Sequence, residues 1–455
     1  MDLLPLKEIA EMSGAKLLRG DGTLRVSKVS KDTRTLQPGD LYVALRGDNF
    51  DGNLFAGDAV ARGAAAVLVE KESAASALPS NFPVLFAESG WEALTRLATA
   101  WRSRLSLKVL CITGSNGKTS TKEFAAGVLS AGYKVVKTEG NLNNHIGVPL
   151  SILSASSADT AAVWEIGMNH PGEIAPLAAL AKPHAAIVTN IGIAHIEFLK
   201  TREAIALEKS ALVAAVPPEG FVVLSSEEDQ SDFLASRTRA RVVRAGLTSG
   251  SVTASSLVET REGCSFVLHA GGQSLPASLT CHGAHMVRNA LLAVAAGVEF
   301  GISPEVAVSG LSKTRLTGGR LQHRSIRGIS FLDDTYNANP DSMVAALCTL
   351  RALPGGGRRI AVLGRMGELG DYEHEGYRRT GTVAGKNVDI LITVGRETLP
   401  LADAARETGL GRVHEVDDAA SAALLLSNLA HPGDVVLVKG SRSARMEAVL
   451  KHFDS

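Results

Sequence analysis

The spacing of apolar and polar positions changes along this chain, and the changes mark out its parts. Up to residue 104, short strand-like runs at 40–45, 65–69 and 83–86 alternate with glycine-containing turns and lead into one helical stretch at 91–104. That pattern predicts a compact α/β unit. From Leu107 the apolar runs become continuous: VLCI at 109–112, AAVWEIG at 161–167, AAIVTNIG at 185–192 and FVVLS at 221–225. Runs without strict alternation are what parallel strands covered on both faces require, so a doubly wound sheet is predicted. Between 251 and 281 serine and threonine return around Gly271-Gly272, which predicts an antiparallel hairpin beside that sheet. A Gly-Gly pair before Arg320 marks a further boundary. Beyond it RRIAVLG (358–364), VDILITVG (388–395), RVHEV (412–416) and DVVLVKG (434–440) alternate with helical segments, a second and smaller Rossmann-like pattern. The expected division is residues 1–104, 105–317 and 318–455, in keeping with 455 residues at roughly 150 per domain.

Charge and cysteine content narrow the class. The 47 basic and 47 acidic side chains cancel, and no single-sign run suggests a nucleic-acid arm. Cys111, Cys264, Cys281 and Cys348 form no CxxC pair, so they read as apolar fillers in a reducing compartment. Asp2, Lys7, Glu8 and Glu11 interrupt the apolar positions of the N-terminus, and no later run reaches the length of a membrane span. A cytoplasmic, monomeric metabolic enzyme acting on small molecules is expected, without nucleic acid or membrane insertion.

The segment VLCITGSNGKTSTKE at 109–123 is a buried strand, a glycine-rich turn, Lys118, hydroxyl residues and a helix. Glycines at 114 and 117 let the amides of Thr113, Gly114, Ser115, Asn116 and Gly117 face an anion at a helix N-terminus. Lys118 can reach the outer phosphates of a nucleotide, and Thr119 can ligate Mg²⁺. Ile112 stands where the usual phosphate-loop pattern has its first glycine. The plainer alternative, a turn with a solvated lysine, is disfavoured by the strand and helix on either side.

Other candidates are weaker one by one. Glu165, at the end of AAVWEIG, occupies a place where a carboxylate can hold the magnesium of ATP, or simply cap a helix. His195 follows TNIGIAH and Lys209 lies in REAIALEKSALVAAV, and residues of either kind are more often structural than catalytic. Asn289 is polar on an apolar helix and suits a purine edge. Arg320 can bridge phosphates, and Asp333 and Asp334 can take ribose hydroxyls. For each of these a cap or a surface ion pair is the competing reading.

In combination they are more informative. ITGSNGKTSTKE, TEGNLNNHIGVPLS, WEIGMNHPGEI, TNIGIAHIE, LEKSAL, GAHMVRN, GGRLQ, DDTYNANPDSM, LGRMGELG and VLVKGSRSARME occur in that order, with KDTRTLQPGDLYVALRGDNFDGNLF before them. The chain resembles the Mur ligase family over essentially its whole length. Its DDTYNANPDSM has the form of the members that add D-alanyl-D-alanine to UDP-MurNAc-tripeptide, and the DYAH and DNPR strings of the neighbouring activity are missing. The resemblance implies an α/β protein of three domains: an N-terminal uridine-nucleotide domain, a central phosphate-loop ATPase domain and a C-terminal Rossmann-like domain. It implies ATP and Mg²⁺, an acyl-phosphate intermediate, and catalytic roles for Lys118, Lys209, His195 and Arg320.

By the same resemblance Thr119, Glu165, His195 and Lys209 would serve the metal, Lys209 as a carbamate. Asn289 would contact adenine, Arg320 the phosphates and Asp334 the ribose. Tyr336 and Asn337 would lie near the nucleotide and dipeptide, and Thr33, Arg34, Arg46 and Gly47 would line the uridine end of the other substrate. Arg365, where the family usually has an acid, departs from the pattern, as do Met286 and Ala211. A phosphate-loop switch protein is the rival reading, and it lacks its expected NKxD motif here.

Overall fold

The structure, a computed structural model, describes residues 1–47, 50–260, 262–316 and 318–454. Asp48 and Asn49 of the uridine-domain motif, Arg261 of the expected hairpin and Thr317 of the expected boundary lie outside the described residues. The chain forms two compact units. The first comprises Met1–Cys111, Tyr133–Met168 and Glu173–His184, and the second Ile112–Gly132, Asn169–Gly172 and Ala185–Ser455. The strand Lys108–Thr113 begins in one and ends in the other.

In the first unit five strands form one sheet in the order Lys16–Arg19, Val84–Phe86, Ala66–Val69, Leu41–Val43, Val29–Ser30. Only the Lys16–Arg19 edge runs antiparallel. The short strands start or end within a residue or two of the predicted runs. Their buried faces, Tyr42, Val67, Val69 and Val84, pack with Ala56 and Ala59 into one core. Strands Val135–Lys137 and Ala161–Glu165 form a parallel pair in this unit, in the sheet that includes strand Lys108–Thr113.

Helix Gly90–Arg104 carries the unit's least expected interior group, Arg102, which is only 5% exposed. Its Nε donates to Ala181 O at 2.8 Å, Nη2 to Lys182 O at 3.0 Å and Nη1 to Leu105 O at 3.2 Å. Ala181 ends helix Ile174–Ala181, so a permanently charged guanidinium satisfies carbonyls left open at two helix C-termini, where the backbone dipole favours a cation. The guanidinium also lies 5.7 Å from the ring centroid of the buried Trp164.

In the second unit the end of Lys108–Thr113 runs beside Ala185–Val188, with Thr189 N donating to Thr113 O at 3.0 Å. Phe221–Ser225 and Arg241–Ala245 continue the parallel sheet. The Ser/Thr-rich region is a three-stranded antiparallel meander, Val252–Glu259, Cys264–Ala270 and Gln273–Leu279, where a two-stranded hairpin was expected. The first strand went unrecognised because its alternation is mostly Ser and Thr, residues that read equally well as loop. Gly271 and Gly272 form the two-residue turn, both with positive φ (56° and 77°), the geometry that joins twisted antiparallel strands tightly. Helix Ala284–Glu299 lies against helix Lys118–Leu129, and Gly297 sits where a Cβ would overlap Val128.

The C-terminal part of this unit is a six-stranded sheet in the order Gln322–Ile326, Ile329–Asp334, Val435–Lys439, Arg359–Leu363, Ile390–Val394, Val413–Val416. All but the first strand are parallel. Phe331, Val362, Ile392 and Val438 build its core against Leu426, Val449 and Phe453. Of the cysteines, Cys111, Cys264 and Cys281 are buried as expected for fillers; Cys348 is exposed, on the outward side of helix Pro340–Ala352. Among the described residues no helix is long and apolar enough to cross a membrane.

Replacing Arg102 with methionine should keep its stem packing but strand three carbonyls, costing about 2–4 kcal/mol in chemical denaturation. A loss below about 0.5 kcal/mol would mean that those carbonyls find other partners.

Candidate functional site

The phosphate loop follows directly from the strand end at Thr113, which is fully buried and whose hydroxyl has no hydrogen-bond partner among the described residues. Beyond it the backbone needs conformations that only glycine adopts easily: Gly114 has φ 148° and Gly117 φ 78°. Neither has room for a side chain. A Cβ at Gly114 would overlap the Thr189 side chain, and one at Gly117 would lie 2.7 Å from the Asn289 amide. Asn289 is itself 5% exposed on helix Ala284–Glu299, so the loop is seated on it.

The segment after strand Ala185–Val188 anchors the loop from another side. Ser115 N donates to Asn190 O and Asn116 N to Asn190 Oδ1, both at 3.0 Å, while the Ser115 hydroxyl donates to Gly192 O at 3.3 Å. Thr189 Oγ1 and Asn190 Nδ2 both donate to Asn116 O. Thr189 and Asn190 stand in the TNIG string, but nothing in their spacing announces them as loop anchors. Lys118 folds back over the loop, with Nζ donating to Gly114 O at 2.8 Å. Thr119, 9% exposed, lies in the first turn of helix Lys118–Leu129.

Basic groups crowd the same region. Lys209, on helix Arg202–Ala214, is 1% exposed. Burial first, and then the charge of Lys118, push its pKa well below the ordinary lysine value, with Glu208 opposing. His195 is lowered as well, by burial above all and then by Lys118 and Lys209, against the pull of Glu368. Its Nδ1 lies 2.5 Å from Glu368 Oε2. The hydrogen bond from His195, ahead of charge from His195, His170 and Lys118, holds the Glu368 carboxyl below the usual range against its burial. A neutral imidazole beside a carboxylate anion must carry its proton on Nδ1, which leaves Nε2 as an acceptor or metal ligand. Glu368, from LGRMGELG, was not singled out in the sequence. Its string was recognised, but its partner lies far away in the chain.

The structure brings a further set together around Asp334. Lys439, 2% exposed, donates to Asp334 Oδ2 at 2.6 Å and to Asn337 O at 2.9 Å. The Arg320 guanidinium stacks 3.9 Å from the Tyr336 ring centroid, and Tyr336 N donates to Gly319 O. Arg320, Asp334, Tyr336 and Asn337 therefore form one cluster, with Lys439 as a member that sequence reading missed. Asp333 instead turns inward to Thr335, whose hydroxyl donates to it at 2.8 Å. This part of the chain reaches the loop and the segment that anchors it: Asn339 Nδ2 donates to Asn116 Oδ1 at 2.8 Å, and Ile193 N donates to Asp341 Oδ2 at 3.1 Å.

The remaining candidates belong to the first unit. Glu165 is 2% exposed at its strand end; Oε1 accepts from Asn143 Nδ2 at 2.7 Å and its amide donates to Thr138 Oγ1. Thr33 sits in a turn beside Arg34, which pairs with Asp32 at 2.6 Å. Arg46 is exposed 3.9 Å from Glu70, and Gly47 pairs with Phe50. Arg365 is half-exposed and reaches Glu397 at 3.9 Å.

Comparison with known proteins identifies the family. Three family models match: the Mur ligase family catalytic domain over 25–90, the Mur ligase middle domain over 112–297, and the Mur ligase glutamate ligase domain over 319–442. The UDP-N-acetylmuramoyl-tripeptide--D-alanyl-D-alanine ligase of Bacillus subtilis is 35% identical, over 98% of this chain and 97% of its own. The enzyme of that name from Escherichia coli is 33% identical, also over 98% and 97%. Among solved structures, MurF from Acinetobacter baumannii superposes with a TM-score of 0.88 at 29% identity, covering all of both chains. MurF ligase from Thermotoga maritima in complex with ADP gives a TM-score of 0.81 at 26% identity, over 94% of this chain and 97% of that one. This chain belongs to the Mur ligase family.

Proposed function

We propose that this protein is an ATP-dependent ligase that joins D-alanyl-D-alanine to UDP-MurNAc-tripeptide, forming the pentapeptide precursor of peptidoglycan with release of ADP and phosphate. The observation that carries the reading is a phosphate loop whose lysine shares its surroundings with a second, buried lysine and a histidine–carboxylate pair. Binding of polyphosphate alone needs the loop and Lys118. A second, buried lysine is not needed for that, and burial lowers the Lys209 pKa, which favours the neutral amine.

In this reading the terminal carboxylate of the tripeptide attacks the γ-phosphorus, and the resulting acyl phosphate is taken by the dipeptide amine. Both first partners are anions, so alignment and charge neutralisation supply most of the rate. Lys118 and the loop amides hold the phosphates, Asn289 meets adenine, Asp334 takes the ribose, and Arg320 bridges phosphates from its stack on Tyr336. Tyr336 and Asn337 face the nucleotide and dipeptide. Thr33, Arg34, Arg46 and Gly47 receive the uridine nucleotide, within a division of the chain into parts 1–104, 105–317 and 318–455.

Magnesium fits the second unit's donors on one condition. Lys118 and Lys209 as two ammonium groups would repel a divalent cation, but a neutral buried amine reacts with CO₂ to give a carbamate, an anionic oxygen ligand. Thr119, His195 Nε2 and carbamylated Lys209 would then hold the ion, which supplies charge neutralisation at the γ-phosphate. Glu165 stays a proposed metal ligand on its strand-end position alone.

ADP release should require ATP, UDP-MurNAc-tripeptide and D-alanyl-D-alanine together, measured by a coupled assay with each omitted in turn. ADP formation that persists without the tripeptide and the dipeptide would instead favour a switch protein or simple ATPase. Lys209→Ala should lower turnover about a hundredfold or more, with partial recovery in added acetate, which returns an anionic oxygen to the vacated space. A variant as active as the parent would remove the carbamate from the account.

A further inference from the structure

Glu368 is an acid in a place built for anions. Lys118, His170 and His195 all act on it electrostatically, and Lys118 is the lysine of the phosphate loop. A carboxylate there repels both the γ-phosphate and the tripeptide carboxylate, so a plain electrostatic design would leave it out. The backbone nevertheless holds it in position. Glu368 has φ 59° and His195 φ 65°, both in the left-handed region that non-glycine residues avoid. Glu197 N donates to Glu368 O at 3.2 Å, so the two segments are joined by backbone as well as side chain. Gly370, also with positive φ, lies where a Cβ would be 3.1 Å from Glu197.

Only one carboxylate oxygen is used by His195, and the Glu368 side chain is 42% exposed, whereas the histidine is 17% exposed. The Glu368 side chain is therefore open to a ligand. Beside these segments lies a cavity of about 310 Å³ lined by Ile196, Glu197, Lys200, Asp371, Tyr372 and Glu375, three acids against one lysine. Acids thus outnumber bases along the wall of this cavity.

Resting on the ligase reading above, we infer that Glu368 is the substrate-contacting residue that receives the ammonium of the incoming dipeptide, one oxygen holding His195 and the other orienting the amine. Of the reacting groups in that scheme, the amine alone arrives as a cation, and a carboxylate beside the phosphate loop is the chemistry that would select it. Glu368 adds no covalent step; it binds and aims the nucleophile.

The experiment separates this role from support of His195. Hydroxylamine is small and largely neutral at pH 7, so it can capture the acyl phosphate as a hydroxamate without a carboxylate to guide it. Glu368→Gln keeps an oxygen acceptor for His195 and removes only the charge. With the tripeptide and ATP, this variant should lose hydroxylamine-dependent ADP release by a factor at least about tenfold smaller than the factor lost with the dipeptide. Its dipeptide-dependent release should fall about a hundredfold, mainly through a raised dipeptide KM, and Glu368→Asp should recover part of it. Equal loss with both nucleophiles, or loss with neither, would overturn the inference while leaving the ligase reading in place. A parent protein that releases no ADP with either nucleophile would overturn both.

Discussion

The loop has space for backbone and for nothing else. Thr189 fills the volume next to Gly114 and Asn289 the volume next to Gly117, so the turn can close only where both residues lack a Cβ. Everything else in the site depends on that closure. It lets the Lys118 ammonium fold back on Gly114 O, starts helix Lys118–Leu129 directly after the turn, and presents the Asn116 carbonyl and side chain to Thr189, Asn190 and Asn339. The missing glycine at position 112 matters little in this light. Ile112 is a fully buried strand residue, and the tight turn begins two residues later.

A second constraint follows from packing cations together. Once Lys118 is committed to the loop, a charged Lys209 in the same surroundings is expensive, and burial resolves the conflict by favouring the neutral amine. The carboxylates that accept hydrogen bonds in the site come from chain segments far away in sequence: Glu368 from His195, and Asp341 from Ile193 N. Lys439 does the reverse at Asp334, a buried cation answering a carboxylate. The loop and the Asp334–Lys439 pair thus belong to two different sheets of the second unit.

What could be read in the sequence depended on how local the cause is. The parallel strands were legible because a strand buried on both faces must be apolar along its length, as VLCI and FVVLS are. The meander at 252–279 was half legible: its Gly-Gly turn is a local signal, but Val252–Glu259 pairs through Ser and Thr that carry little pattern. Within the site, Lys118 and the loop glycines announce themselves by spacing. Lys209 and His195 acquire meaning only from their surroundings, and Asn190, Lys439 and Glu368 only from partners 74, 105 and 173 residues away. No window along the chain contains those pairs, so ordered family motifs pointed to their neighbourhood without naming them.

In the proposed reaction the tripeptide carboxylate, and not water, is the acceptor of the γ-phosphoryl group. UDP-MurNAc-tripeptide labelled with oxygen-18 in its terminal carboxylate tests this directly, by mass analysis of the phosphate released in the complete reaction. Transfer of one labelled oxygen into each phosphate is the predicted result, because the carboxylate oxygen bonded to phosphorus leaves with it when the amide forms. Unlabelled phosphate would mean that water attacks ATP, and the loop, Lys209 and Glu368 would then need another explanation.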